Sequence, residues 1–319
     1  MGLRTAKLGS NGPELAVVGF GSWEAGMADD WGTPPPEDQV VRAIATVLET
    51  GINWIDTAEV YGDGTSETLV ARALRGRRDE VFIATKVAPR QEGTGFRAEQ
   101  VRRACEKSLK RLSTDRIDLY QLHWPDSTGV PVEETWAAMT SLVEEGLVGA
   151  IGVSNFDQAL IERCHAVRHV DSLQQEFSML APQDRELIRW CGDQGIGVLA
   201  YGPLAYGLLT GAITADTAFD KGDFRRGETS LFGEGRRDRS LAVVEAMRPV
   251  AERLGISVSQ LALAWTFNQP GVTSAIAGSR NPDHVRSNAE AGDAVLDPGD
   301  ARRARSDPGA RTGVRLIAV

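Results

Sequence analysis

The sequence predicts an α/β fold, a closed (β/α)8 TIM barrel in a single domain, from three observations. From residue 15 onward, short apolar runs alternate with amphipathic stretches. Nearly all of these runs lack the polar alternation of a half-exposed strand, as is typical of parallel strands covered by helices. The length of 319 residues suits one such barrel, which commonly exceeds about 250 residues. The active site of this fold lies at the carboxyl ends of the strands.

Eight apolar runs are the predicted strands, and most have a helical pattern beside them. The strands cover residues 15–21, 53–57, 81–86, 117–123, 149–154, 172–176, 197–201 and 272–277. The predicted helices include residues 37–50, 66–74, 98–112 and 132–145, one that begins near Asp157, and one after the eighth strand. A doubly wound open sheet is the alternative fold. Its GxGxxG phosphate motif is missing, since Glu24 stands where the third glycine belongs.

Three segments depart from the alternation. Residues 3–15 contain a Ser-Asn-Gly-Pro turn and predict a hairpin that closes the barrel floor. Residues 203–239 form a long insertion rich in glycine, arginine and aspartate, which is expected to serve the active-site face or to be a surface loop. We assign residues 1–293 to the barrel and residues 294–319 to an atypical tail that is expected to be poorly ordered.

Composition excludes several classes of protein. Hydrophobic residues make up 42% and charged residues 25% of the chain, as in globular proteins with a large core. A net charge of -9 with both signs interspersed disfavours nucleic-acid binding but permits a local phosphate pocket. No signal peptide and no membrane span is evident, so a cytoplasmic location is expected. The cysteines 105, 164 and 191 lie far apart and predict neither a disulfide framework nor a metal site.

Polar residues stand at the ends of three consecutive predicted strands. Asp56 lies at the end of the second strand, Lys86 ends the third and His123 ends the fourth, while Tyr61 follows Asp56 by five residues. Each has a simpler explanation alone, such as an ion pair at the barrel rim, a packing aromatic or a strand cap. Their occurrence together on one face favours a catalytic site.

These four side chains suit the donation of a proton to an oxygen that becomes an alkoxide. A tyrosine with a pKa near 10 is a weak acid unless its phenolate is stabilised, and a nearby ammonium group can do this. Asp56 would keep Lys86 charged and oriented, because a buried amine otherwise tends to lose its proton. His123 would polarise a substrate carbonyl, so that the site predicts reduction of a C=O bond.

The chain resembles the aldo-keto reductase superfamily over nearly its full length. The resemblance lies in residues 51–62 around Asp56 and Tyr61, in residues 84–87 around Lys86, and in residues 118–125 around His123. It implies that Tyr61 is the general acid, that Lys86 and Asp56 tune its pKa, and that His123 orients the carbonyl group. These roles agree with those argued from the residues.

The resemblance also implies a nicotinamide cofactor, with NADPH favoured over NADH. Ser154, Asn155 and Gln175 are expected to hold the carboxamide and Tyr201 to stack on the nicotinamide ring. Arg280, at the start of a helix, is expected to bind the adenosine 2′-phosphate, although Ser287 replaces a glutamate common beside the adenine. The remaining expected contacts are Gly21, Ser22, Trp23, Asp56, Pro203, Leu204, Gly278, Ser279, His284 and Asn288.

The expected substrate is a small aldehyde or ketone that contacts Tyr61 and His123. Trp23 and Trp124 follow the first and fourth strands and predict aromatic walls for it, unless they only pack at the rim. The alternative function is a cofactor-binding, redox-sensing or regulatory subunit with slow turnover. The four polar residues favour the enzyme, while the sequence leaves the physiological substrate and the oligomeric state open.

Overall fold

The computed structural model describes residues 3–26, 31–89, 96–226, 231–233 and 235–296. The strands within these ranges are β1 Thr5–Lys7, β2 Glu14–Ala16, β3 Val18–Gly21, β4 Trp54–Asp56, β5 Phe82–Val87, β6 Ile117–Leu122, β7 Val148–Ser154, β8 Ser172–Glu176, β9 Gly197–Tyr201 and β10 Val272–Gly278.

Strands β3 to β10 form a closed parallel barrel in chain order. Strand β10 pairs with β9 on one side and with β3 on the other, which closes the sheet. The predicted barrel is therefore confirmed and the open sheet is ruled out. Seven predicted strands end within a residue of the observed ones, but the predicted run 15–21 is divided between β2 and β3.

Helices alternate with the barrel strands and cover them from outside. The helices in the described ranges are α1 Trp23–Gly26, α2 Glu37–Ala45, α3 Val47–Thr50, α4 Thr65–Ala73, α5 Ala98–Leu112, α6 Val132–Glu144, α7 Gln158–Val167, α8 Arg185–Asp193, α9 Arg236–Leu254, α10 Val258–Phe267 and α11 Pro282–Glu290. Several begin at side-chain caps, which satisfy the free N–H groups of a first turn. Asp157 caps α7, and Ser257 with Gln260 forms a capping box on α10.

Strands β1 and β2 form an antiparallel hairpin, as predicted. Leu8 and Leu15 of this segment are buried in one cluster with Trp54, Ala84 and other apolar side chains of the barrel strands. The hairpin thus supplies apolar cover to the barrel floor, and the site is left to the opposite end.

The segment 203–239 follows β9 and contains short 3-10 turns at Ala205–Thr210 and Phe224–Arg226, before α9 begins at Arg236. The boundary expected after residue 293 stays a prediction, because most of the tail, residues 297–319, lies outside the described residues.

In the described part of the chain no helix is long and apolar enough to cross a membrane. The same residues contain no cluster of three metal-ligating side chains, and the cysteines 105, 164 and 191 are buried free thiols.

Candidate active site

The alternation of side chains along the strands decides which of them face the barrel interior. Trp54 on β4 and Ala84 on β5 belong to the apolar floor layer. Asp56 and Lys86 lie two positions further along the same strands, so their side chains point to the same interior, nearer the carboxyl ends. The strand periodicity therefore places an acid and an amine side by side above an apolar floor.

The Lys86 ammonium group is fully buried and has three oxygen partners. It donates to Asp56 Oδ2 at 2.7 Å and to the backbone carbonyl of Thr57 at 2.9 Å. It also donates to the hydroxyl oxygen of Tyr61 at 3.2 Å. Because the Tyr61 oxygen accepts this hydrogen bond, its own O–H remains available to donate.

Burial governs the protonation of this group of residues. It raises the pKa of Tyr61 well above its usual value, and the negative charge of Asp56 acts in the same direction. Burial also lowers the pKa of Lys86, whereas the charge of Asp56 and its hydrogen bond with Lys86 raise it. The sequence predicted a phenol made more acidic by Lys86. In the folded protein the cost of desolvating the phenolate is the main influence on this pKa, so Tyr61 is protonated at neutral pH.

His123 follows β6, where its backbone N–H donates to the carbonyl of Val87. Its ring lies edge-on to Tyr61, with ring centroids 5.7 Å apart. Burial and the charge of Lys86 hold the pKa of His123 well below its usual range. The imidazole is therefore neutral at physiological pH and can act as a hydrogen-bond donor to an uncharged carbonyl oxygen.

The loop that carries Tyr61 is closely packed against α1. Gly62 has a φ of 60°, and a Cβ there would lie 1.6 Å from the carbonyl oxygen of Gly26. The backbone carbonyl of Tyr61 accepts from Ser66 at the start of α4. These contacts fix where the phenol ring enters the site.

Ser22, predicted as a cofactor contact, is buried and does not line the cavity. Its hydroxyl donates to the backbone carbonyl of Asp56 at 2.8 Å and is hydrogen-bonded to Ser66 Oγ at 2.6 Å. The side chain thus joins β3 to the segment of Asp56, and the expected cofactor contact of Ser22 stays a prediction.

Ser154, Asn155 and Tyr201 gather at the ends of β7 and β9. The Asn155 amide donates to the backbone carbonyl of His123 at 3.0 Å and to Ser154 Oγ at 3.1 Å. The Tyr201 hydroxyl donates to Asn155 Oδ1 at 2.8 Å. Asn155 adopts a left-handed φ of 61°, which a short polar side chain tolerates better than most residues. The segment thus joins the residues predicted to bind the cofactor to His123, which is predicted to be catalytic.

The structure places Gln175, which was expected to hold the carboxamide, away from the cavity. Its amide donates to Asp184 at 2.8 Å, and Gln175 is absent from the cavity wall. Its neighbour Gln174 lines the cavity and donates to Asp56 Oδ1 at 2.8 Å. Gln174 pairs across the sheet with Ser154 and therefore shares its inward direction. Strand alternation counted from the apolar Leu173 would have selected it.

The end of β10 and the start of α11 form the opposite part of the site. Arg280 Nη2 donates to the backbone carbonyl of Trp31 at 2.9 Å, whereas Nη1 is buried without a hydrogen-bond partner among the described residues. Ser279 Oγ is hydrogen-bonded to His284 Nδ1 at 3.2 Å. A guanidinium with unused donors beside a helix start suits a phosphate group, so this observation fits the expected dinucleotide.

A cavity of about 770 Å³ connects these regions, a volume adequate for a large organic ligand. The predicted site residues on its wall are Gly21, Trp23, Asp56, Tyr61, His123, Trp124, Ser154, Asn155, Tyr201, Pro203, Leu204, Gly278, Ser279, Arg280, His284 and Asn288. Lys86 lies behind them and reaches the cavity through its hydrogen bond to Tyr61.

Several wall residues were not predicted, namely Glu24, Trp31, Gln174, Tyr206 and Arg225. Trp31 and Tyr206 come from separate loops and meet Trp23, whose ring centroid is 5.1 Å from that of Trp31 and 6.2 Å from that of Tyr206. Phe224 packs on the same ring at 5.5 Å. On the other side, the Trp124 ring stacks on His123 at 3.7 Å. Aromatic walls thus surround the space in front of Tyr61.

The model of the Aldo/keto reductase family matches residues 17–306. The chain therefore belongs to the aldo/keto reductase family, whose members are oxidoreductases that act on small carbonyl compounds. It is 37% identical over 291 residues to the aldo-keto reductase YhdN of Bacillus subtilis (strain 168), and the match covers 89% of this chain and 87% of that protein. The resemblance inferred from the motifs is confirmed.

Solved structures agree with this membership. A glycerol dehydrogenase from Gluconobacter oxydans is 30% identical, with a TM-score of 0.86 over 99% of this chain and 98% of that one. An aldo-keto reductase from Klebsiella pneumoniae, solved in complex with NADPH, is also 30% identical, with a TM-score of 0.71 over 99% of this chain and 100% of that one. Both share the barrel with this protein.

Proposed function

We propose that this protein reduces small aldehydes or ketones to alcohols with NADPH, and that Tyr61 donates the proton. The observation that carries the proposal is the hydrogen bond from the buried Lys86 ammonium to the Tyr61 hydroxyl, beside a neutral His123 on one cavity wall. This arrangement suits a reaction that places negative charge on a carbonyl oxygen.

The proton transfer follows from the protonation states. Tyr61 begins protonated because its pKa is raised by burial and by Asp56. An alkoxide is a stronger base than a phenolate, so Tyr61 gives up its proton only once hydride addition has begun. The Lys86 ammonium at 3.2 Å then stabilises the phenolate, and Asp56 keeps that ammonium oriented.

His123 would orient the substrate. Its neutral imidazole can donate to the carbonyl oxygen and polarise the C=O bond without delivering a proton of its own. The stacked Trp124 and the facing Trp23 would confine the rest of the substrate between apolar surfaces. Such walls favour aldehydes and ketones with an apolar or aromatic body.

The cofactor, when bound, supplies the hydride. Ser154, Asn155 and Gln174 would hold the nicotinamide carboxamide, and Tyr201 would stack on its ring. Arg280 would bind the 2′-phosphate through the donors that have no partner within the described chain. The Klebsiella pneumoniae relative solved with NADPH supports the choice of cofactor.

A substrate panel tests the proposal. Purified protein is incubated with aldehydes, ketones and sugars, and the loss of nicotinamide absorbance is followed with NADPH and with NADH. We expect steady turnover of at least one carbonyl class and a higher kcat/KM with NADPH. Cofactor binding without turnover of any carbonyl compound would contradict the proposal and favour a regulatory cofactor-binding role.

A further inference from the structure

A buried charged cluster lies against strand β5, on the side away from the cavity. Its members are Glu59, Glu67, Thr85 and Arg111. The side chains of Glu59 and Glu67 are 3% and 0% exposed, and that of Arg111 is 24% exposed. Burial of charged groups is costly unless they are paired, so such a cluster requires a compensating role or a tight set of contacts.

The side chains of the cluster lie within hydrogen-bond or ion-pair distance of one another. Glu67 accepts from the Thr85 hydroxyl at 2.6 Å and from Arg111 Nε at 2.5 Å. Glu59 accepts from the backbone N–H of Ala88 at 3.1 Å, and its other oxygen lies 3.9 Å from Arg111 Nη2. Arg111 thus lies beside both carboxylates, and its shorter contact is with Glu67.

The cluster holds both segments that carry the proton-donating residues. Thr85 directly precedes Lys86 on β5, so the two side chains point to opposite faces of the strand. Glu59 and Glu67 flank Tyr61 in the chain, and the backbone N–H of Glu59 donates to the carbonyl of Lys86 at 3.3 Å. A change in the cluster would therefore reach Lys86 and Tyr61 without touching substrate or cofactor.

We propose that Glu67 is a positioning residue for the proton transfer, acting through Thr85 to orient Lys86 and through its carboxylate charge to support the positive charge of Lys86. The proposal rests on the proposed function for its catalytic consequence. Burial lowers the pKa of Lys86, whereas Asp56 and, to a smaller extent, Glu67 raise it. Loss of the Glu67 charge should therefore let the ammonium lose its proton at a lower pH.

The direct test is an NMR titration of Lys86 in the full chain. The protein has five lysines, so 13C-labelled lysine side chains give a simple spectrum, and Lys86→Met identifies the signal of interest. Glu67→Gln keeps the shape of the side chain and an oxygen for Thr85 but removes the charge. We expect the Lys86 titration to move down by about one pH unit. We also expect kcat to fall while the dissociation constant of NADPH stays unchanged.

Two further variants separate a charge effect from damaged folding. Glu133→Gln removes a carboxylate from an exposed ion pair with Arg163 and should leave the Lys86 titration unmoved. Arg111→Met removes the guanidinium that pairs with Glu67 and should move the titration in the opposite direction, to higher pH. A structural defect would not reverse its sign in this way.

The outcomes are distinct. Opposite shifts in Glu67→Gln and Arg111→Met support the proposal, whereas an unmoved titration, or shifts in the same direction, would overturn it. The NMR titration of Lys86 can be measured whether or not the protein reduces a carbonyl compound. If the wild-type protein reduces no carbonyl compound, the proposed function fails while the effect of Glu67 on Lys86 is still decided.

Discussion

Gln174 donates from its amide nitrogen to Asp56 Oδ1 at 2.8 Å, so the end of β8, where we propose that the cofactor binds, is joined to the acid that holds Lys86. One carboxylate oxygen of Asp56 thus accepts from Gln174, and the other accepts from Lys86. Substitution at Gln174 should consequently affect both cofactor binding and catalysis, while its neighbour on the outer face of β8 should affect neither directly.

We expect Gln174→Ala to weaken NADPH binding and to lower kcat, each on the order of tenfold, because it removes hydrogen bonds to charged or buried partners. Gln175→Ala is the matched control, since that side chain donates to Asp184 away from the cavity. Stopped-flow binding and steady-state kinetics measure both effects. A larger loss in Gln175→Ala than in Gln174→Ala would refute the assignment.

Much of the fold was predictable because barrel strands are apolar on both faces, which made their boundaries visible. Asp56, Lys86 and His123 were predictable for the related reason that polar residues end apolar runs. The division of residues 15–21 between strands β2 and β3 was not predictable, because the hairpin strand and the barrel strand are equally apolar. The choice between Gln174 and Gln175 for the cavity wall was not predictable from residue type, because two adjacent glutamines offer the same chemistry on opposite faces.

The remaining wall of the cavity depends on contacts between distant loops. Trp31, Tyr206 and Arg225 meet there, but no local pattern indicates that their segments fold over the same strand ends. The raised pKa of Tyr61 also required the structure, since it follows from burial, which the spacing of residues does not give.

Arg280→Ala should weaken NADPH binding by about ten- to a hundredfold and NADH binding much less, because a charge-assisted hydrogen bond to a phosphate is lost only with NADPH. Arg286→Ala is the control, since that side chain is half exposed and pairs with Glu49 and Asp283. Titration of tryptophan fluorescence gives both dissociation constants. Equal losses for the two cofactors would rule out the 2′-phosphate contact.

Glu24 should make cofactor binding depend on pH. Burial raises the pKa of Glu24, with Arg280 and Arg225 opposing the shift, and these two arginines line the same cavity. An anionic dinucleotide favours the protonated carboxyl group, so binding takes up a proton. The affinity of the wild-type protein should accordingly fall as the pH rises through the raised pKa of the free protein.

Glu24→Gln should remove the part of the pH dependence of cofactor binding that Glu24 causes. We expect NADPH to bind more tightly to the variant at high pH, on the order of tenfold, and with little difference at low pH. Comparison with wild type at each pH cancels the titration of the cofactor phosphate itself. Calorimetry in buffers of different ionisation enthalpy counts the protons. Weaker binding to the variant across the whole pH range would contradict this account.

The central claim, that Tyr61 donates the proton, is tested most directly by Tyr61→Phe. This change removes one oxygen and keeps the ring that packs near Trp23 and His123. We predict that carbonyl reduction falls by about 10²- to 10⁴-fold, the usual contribution of general acid catalysis, while NADPH still quenches tryptophan fluorescence with an unchanged dissociation constant. Turnover within about twofold of wild type would show that another group donates the proton.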